Sequence, residues 1–239
     1  MAELRVRIGG TPYILIHSDF WTMLEVIKSC DNKAYEPISK EWGIFPSIEN
    51  VEKLKQFNSE IHIKDMSEQA KLIKEKCPYL YPFQSEGVAE LLYGGKVLLS
   101  DGVGNGKSCQ AIAWATLTEC QNRIIVCPSP LKDQWASEIK KFVVANVTIV
   151  KGSKKQRRVI YRQFTLKGGF MVVSYETVRQ DIEEFKQMPP PYSMAIDEAH
   201  RLKNFRTKLY KAFKEIRASR IIALTATPMQ NAPRELFTL

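Results

Sequence analysis

Residues 97–108 constrain the fold more than any other stretch. The apolar run Val97-Leu98-Leu99-Ser100 leads into Asp101-Gly102-Val103-Gly104-Asn105-Gly106-Lys107-Ser108, and a helical pattern follows. Strand, glycine-rich turn, Gly-Lys-Ser and helix make the P-loop arrangement, a feature of α/β folds. Glycines let backbone N–H groups turn inward around phosphate oxygens, and the N-terminus of the next helix adds favourable dipole charge. In this arrangement Lys107 reaches the β- and γ-phosphates and the Ser108 hydroxyl binds Mg²⁺. The strict pattern has glycine where Asp101 stands, so a plain glycine-rich turn is the alternative for this segment taken alone.

The surrounding pattern agrees with an α/β fold. Short apolar runs predict strands at Val97–Ser100, Arg123–Cys127, Val147–Val150, Phe170–Ser174, Met194–Asp197 and Ile221–Thr225. They lack polar alternation, as parallel strands buried on both faces do. Between them, helices are predicted over Lys107–Cys120, Leu131–Phe142, Lys154–Phe164, Tyr175–Phe185 and Lys208–Ala218, giving a doubly wound, mainly parallel sheet. Residues 1–76 read as a small α+β unit that ends at Cys77-Pro78. It has strands at Leu4–Ile8 and Tyr13–His17, a hairpin within Ala34–Pro46 and a strand at Ile61–Lys64. Helices are predicted over Phe20–Ser29, Ile48–Phe57 and Ser67–Lys76.

A second chemical signal lies about ninety residues downstream of the P-loop. The apolar Met194-Ala195-Ile196 ends in Asp197-Glu198-Ala199-His200. Two adjacent acids cannot be buried cheaply, so they belong at the strand's carboxyl end, facing a ligand. Asp197 would hold Mg²⁺, directly or through water, and Glu198 would orient and polarise an attacking water. An acidic turn before a basic helix is the alternative, but the two signals support each other.

With 44% hydrophobic and 26% charged residues, the 239-residue chain is not disordered, collagenous or a small disulfide scaffold. No apolar run is long enough to span a membrane, and MAELRVRIGG has no apolar core of a secretory leader. Five cysteines without a C-x-x-C pair argue against zinc and for reduced thiols in a cytosol or nucleus. Residues 1–76 hold 11 Lys/Arg against 12 Asp/Glu, whereas residues 77–239 hold 24 against 14. A polyanion such as nucleic acid, or a solubility charge without a partner, both suit this basic excess. Its clusters are Lys151, Lys154, Lys155, Arg157, Arg158 and Arg162, then Arg201, Lys203, Arg206, Lys208, Lys211 and Lys214. Each reads either as a phosphate contact or as a solvated helix face.

Across roughly Leu80 to Leu239 the chain resembles the superfamily-two helicases, and among them the Swi/Snf-type DNA translocases. Leu80-Tyr81-Pro82-Phe83-Gln84 with Gly87-Val88 is similar to the adenine-recognition motif, which implies a hydrogen bond from Gln84 to adenine; Tyr81 stands where arginine is usual. Asp101 to Ser108 resembles motif I, which also begins with aspartate, although Gly102 and Asn105 depart from the usual Glu and Leu. Ile125-Val126-Cys127-Pro128 with Leu131, Trp135 and Glu138 resembles motif Ia, and Val173-Ser174-Tyr175-Glu176 the next DNA-facing motif. Asp197 to Asn204 is similar to motif II, and Leu224 to Asn231, with Thr225 and Thr227, to motif III. The Pro-x-Gln-Asn ending favours the Swi/Snf type over other superfamily-two enzymes.

The resemblance implies a RecA-like lobe binding ATP and Mg²⁺. Its nucleotide contacts are Gln84, Asp101, Gly102, Gly104, Asn105, Gly106, Lys107, Ser108 and His200. Catalysis falls to Lys107, Asp197 and Glu198, and coupling to double-stranded or branched DNA to Pro128, Ser174, Tyr175, Thr225 and Thr227. Residues 24–56, with Lys33-Ala34-Tyr35-Glu36-Pro37, Glu41-Trp42 and Asn50-Val51-Glu52-Lys53-Leu54, are similar to the HepA-related (HARP) domain of annealing helicases. Read physically, Tyr35 and Trp42 of such a hairpin-plus-helix unit either face DNA or fill a core. The resemblance stops at motif III, so a second RecA-like lobe with its arginine fingers must come from elsewhere. The expectation is a chain cut after its first lobe that binds nucleotide but hydrolyses it poorly. The alternatives are a half-motor that regulates a partner and a different superfamily-two motor. A prokaryotic or viral cytoplasm is the expected setting, with the nucleus the place if the source is eukaryotic.

Overall fold

The computed structural model describes residues 67–93, 96–202, 204 and 206–226, and, before them, the strands at 5–8, 11–16, 33–36 and 41–44. The helices expected over 20–29 and 48–57, the strand over 61–64, Lys203, and Thr227 with the rest of motif III lie outside the described residues. Among those described, no helix is long and apolar enough to cross a membrane.

The strands are β1 (Arg5–Ile8), β2 (Thr11–Ile16), β3 (Lys33–Glu36), β4 (Glu41–Ile44), β5 (Lys96–Ser100), β6 (Asn122–Cys127), β7 (Val147–Ile149), β8 (Gly169–Ser174), β9 (Tyr192–Asp197) and β10 (Arg220–Leu224). They form one sheet in the order β3-β4-β2-β1-β5-β10-β9-β6-β8-β7. The six strands from β5 to β7 are all parallel, the α/β arrangement expected. β1 adds to β5 in parallel, and β2, β4 and β3 continue antiparallel. The expected hairpin is β3–β4, which sets Tyr35 opposite Trp42.

Eight helices are described: α1 (Ser67–Lys76), α2 (Pro82–Tyr93), α3 (Lys107–Leu117), α4 (Lys132–Phe142), α5 (Lys154–Lys167), α6 (Tyr175–Gln180), α7 (Ile182–Lys186) and α8 (Lys208–Lys214). The pleat sends alternate residues to opposite layers. Leu99, Ile125, Phe170, Val172, Ala195 and Leu224 pack with residues of α1 to α4. Leu98, Ile124, Met171, Val173, Met194, Ile196 and Ala223 pack with residues of α5 to α8. The expected boundary at Cys77-Pro78 falls inside the first layer, where Ile73, Cys77 and Leu80 share a core with Val88 and Leu91.

Several expected helices are shorter or divided. α3 stops at Leu117 because Thr118 is extended and its hydroxyl donates to the Ala115 carbonyl at 2.8 Å. The single helix expected over Tyr175–Phe185 breaks at Asp181, whose carboxylate is claimed by Arg157. α2 was not anticipated. Pro82 opens it without losing a helical donor, and Gln84 Oε1 accepts the Tyr81 N–H at 2.8 Å, as a capping residue does.

Candidate functional site

The P-loop connects β5 to α3. Gly104 and Gly106 have φ of 84° and 71°, a left-handed conformation that favours glycine. A Cβ at Gly106 would collide with the Gln84 carboxamide. Gln84 is buried under the loop, and its Nε2 donates to the Asn105 carbonyl at 3.1 Å. Lys107 Nζ donates back to the Asp101 and Gly102 carbonyls at 2.8 and 2.9 Å, so the ammonium is held inside the loop. Asp101 is also buried and accepts from Gln110 Nε2 at 2.7 Å. It therefore anchors the loop's base rather than facing a ligand. Ser108 is half-buried beside Lys107 on α3.

The acidic pair arrives on β9. Leu224 of β10 is level with both Leu99 of β5 and Asp197 of β9, so the P-loop and Asp197 leave the sheet at one edge. Strands lie about 4.8 Å apart, so these two, with β10 between, are about 10 Å apart at the backbone. Such carboxyl ends are where open α/β sheets bind ligands.

Ile196 faces one layer, so Asp197 faces the other, toward α4. There Trp135 Nε1 donates to Asp197 Oδ2 at 2.9 Å, and the Glu198 N–H donates to Oδ1 at 2.9 Å. The Tyr175 hydroxyl donates to the Asp197 carbonyl. Burial raises the Asp197 carboxyl above its ordinary range, and the Trp135 hydrogen bond and the Lys107 ammonium oppose that rise. Cys127, at the end of β6, is pushed up to about 12 by burial and then by the Asp197 charge, so it stays a thiol.

Glu198 has φ of 54°, unusual for a residue with a Cβ. Such strain costs on the order of 1–3 kcal/mol and gathers at functional turns. Its carboxylate lies 3.1 Å from His200 Nδ1, which is 3.5 Å from the Thr225 hydroxyl. The Thr225 N–H donates to the Leu99 carbonyl at 3.1 Å. Residues of motifs II and III are thus joined to the strand that leads into motif I.

The DNA-facing expectations need revision at two residues. Ser174 is buried and caps α6, accepting from the Thr177 N–H at 3.3 Å, and Tyr175 is fully buried against Asp197. Neither side chain has a face for a phosphate. Pro128 is half-buried and leads into the 3-10 turn Ser129–Leu131. In the first basic cluster, Arg157 forms a bidentate pair with Asp181 at 2.5 and 2.8 Å, and Arg158 bonds Glu184 at 2.7 Å. Lys151, Lys154, Lys155 and Arg162 remain exposed. In the second cluster, Arg201 lies over the Tyr175 ring at 5.3 Å, and Arg206, Lys208, Lys211 and Lys214 are exposed.

The donor set suits the ligands expected. Among the described residues no group of three or more His, Cys, Asp or Glu side chains could hold a metal alone. Mg²⁺ needs no such cage, because it binds through one or two protein oxygens plus substrate phosphates. Ser108 and Asp197 are oxygen donors of that kind, beside a loop whose Gly104 and Gly106 are left-handed.

Sequence reasoning missed two contacts. The resemblance to motif Ia gives Trp135 no partner, whereas its indole meets Asp197. Gln110 gave a signal, since a polar residue inside the apolar face of α3 needs a buried partner.

A family model of the SNF2-related domain matches residues 83–239. The TATA-binding protein-associated factor BTAF1 of Arabidopsis thaliana is 30% identical over 85% of this chain and 10% of its own length. Helicase SWR1 of Saccharomyces cerevisiae is 31% identical over 80% of this chain and 14% of its own. The chain thus spans about a tenth to a seventh of these relatives. Both relatives are eukaryotic and give no support to a prokaryotic or viral source. The solved Sulfolobus solfataricus SWI2/SNF2 ATPase core in complex with dsDNA is similar over 66% of this chain and 34% of its own, with a TM-score of 0.57 and 26% identity. On the family match, and with a RecA-like fold like that ATPase core, the chain belongs to the SNF2-related family of Swi/Snf-type helicase ATPase domains.

Proposed function

We propose that residues 77–239 are the first, ATP-binding lobe of an ATP-dependent double-stranded-DNA translocase. The observation that carries this reading is the convergence of Lys107, Asp197, Glu198, His200 and Thr225 on one edge of the sheet. The loop amides and Lys107 bind the phosphates, with the ammonium exchanging its loop carbonyls for phosphate oxygens. Ser108 and Asp197 hold Mg²⁺, which when bound neutralises charge on the β- and γ-phosphates. Glu198 orients the attacking water and accepts its proton, and His200 holds the Glu198 carboxylate. The second amide hydrogen of Gln84 is left for adenine, and Tyr81, 66% exposed beside it, offers a ring to the base.

Residues 1–76 are the accessory part in this reading, joined to the lobe by the pairing of β1 with β5 and by α1 in its core. DNA is the partner by analogy with the archaeal ATPase core. The exposed lysines and arginines meet its phosphates, so affinity falls steeply with salt. A eukaryotic source places the protein in the nucleus. A second RecA-like lobe completes the site, since arginine fingers in related reactions contribute about 10³–10⁵ in rate. The 239-residue chain alone therefore binds nucleotide and turns it over slowly.

The test is ATP turnover with and without double-stranded DNA, beside Glu198→Gln. Weak turnover with measurable nucleotide binding supports the half-site reading. Robust DNA-stimulated turnover, lost in Glu198→Gln, sinks the claim that a second lobe is needed.

A further inference from the structure

Two segments expected to face DNA meet behind the same acid. Trp135 comes from α4, one helical turn past Leu131 and the 3-10 turn that follows Pro128. Tyr175 comes from the first turn of α6, directly after β8. Trp135 bonds the Asp197 carboxylate and Tyr175 bonds its carbonyl. Trp135 is 3% exposed and Tyr175 0%, so both act from inside the protein.

We infer that Trp135 is a positioning residue for Asp197: its indole N–H fixes the carboxylate so that the remaining lone pairs face the Mg²⁺ of bound nucleotide. The inference rests on the nucleotide and Mg²⁺ reading above. A carboxylate has about four acceptor sites. Trp135 takes one on Oδ2 and the Glu198 N–H takes one on Oδ1, leaving about one on each oxygen. Without the indole donor, one oxygen swings freely and the acid loses its preset direction. Tyr175 fixes the backbone at the same residue, so the side chain is the freedom left for Trp135 to remove. Ile139, one turn beyond Trp135, is fully buried in the same core, so α4 is a firm base for the contact.

Partners that orient a metal ligand from behind typically contribute about 10-fold or more to metal affinity. The test titrates a fluorescent, non-hydrolysable ATP analogue into the 239-residue chain, in EDTA and across a Mg²⁺ series. Wild type, Trp135→Phe and Asp197→Asn are compared. Trp135→Phe is expected to raise the Mg²⁺ concentration for half-maximal enhancement by about 10-fold, with affinity in EDTA unchanged. Packing damage alone lowers affinity in EDTA as well, and that result overturns the inference. If Asp197→Asn shifts the Mg²⁺ dependence and Trp135→Phe does not, the inference is wrong while the metal reading stands. If neither variant shifts it, the metal reading fails and takes the inference with it. Should Trp135→Phe melt early, benzothienylalanine placed at 135 keeps the ring volume without an N–H, and the same shift is expected of it.

Discussion

His200 Nδ1 stands 3.1 Å from the Glu198 carboxylate. The same nitrogen is 3.5 Å from the Thr225 hydroxyl, so one imidazole joins the acidic turn after β9 to the end of β10. Glu198 is the one non-glycine residue with positive φ among the described residues, and this contact helps to hold that turn. Glu198→Gln preserves the shape and removes the carboxylate proposed as the base. With a second lobe supplied, turnover should fall by about 10²–10⁴ while nucleotide affinity stays near wild type. Steady-state hydrolysis beside equilibrium binding checks this, and an equal loss of both would assign Glu198 to binding instead.

Gly106→Ala tests the cradle. The left-handed backbone alone costs a Cβ residue about 1–2 kcal/mol. The collision with Gln84 adds to that, so part of the loss should be recovered in a Gln84→Ala background. Urea unfolding of wild type, the two single variants and the double variant measures the coupling. Strict additivity would mean that the two residues do not meet.

The strand–turn–helix at 97–108 and the acids at 197–198 were legible because each combines a short apolar run with residues that cannot be buried without a partner. Burial on both faces was legible in the unbroken apolar runs, as Leu98 and Leu99 in opposite layers bear out. Partner choice was not legible. Nothing local to Trp135 says that it meets Asp197, 62 residues on. Arg157 looked like any other member of a basic run until Asp181, 24 residues away, closed on it. That pair also explains the helix break, which local periodicity could not reveal. Gln84 showed its motif but not its second role as the cap of α2.

The Asp181 site gives a pH prediction. Burial works to raise its carboxyl, but hydrogen bonds from Arg157 and Tyr161 outweigh this and hold it below its ordinary value. A lowered folded value stabilises fully above the unfolded value of about 3.9, and that stabilisation is lost as pH falls through the folded value. Asp181→Asn should therefore melt below wild type by a constant margin above about pH 5, a margin that narrows below about pH 4. Thermal melts from neutral to acid pH decide it, and a margin independent of pH would contradict the assignment. Asp181→Ala, which leaves Arg157 with the Gly152 carbonyl and orphans the buried Tyr161 hydroxyl, should cost about 1–3 kcal/mol.

Trp114 ties the P-loop helix to α2. It is fully buried, and its indole N–H donates at 3.1 Å to the Leu91 carbonyl in the last turn of α2. Carbonyls there lack helical partners. Trp114→Phe should destabilise by about 1–3 kcal/mol in urea unfolding, because it orphans a buried acceptor. A change within a few tenths of a kcal/mol, roughly the error of such contact accounting, would mean that water or another donor serves that carbonyl.

The most direct test of the account is equilibrium binding of ATP with Mg²⁺ to the chain, measured beside Lys107→Ala. Saturable binding is predicted, weakened by about 10-fold or more when the ammonium is removed, since a charged hydrogen bond contributes about 1.5–3 kcal/mol. No binding by the wild type, or equal binding by both proteins, would contradict the claim that this edge of the sheet is a nucleotide site.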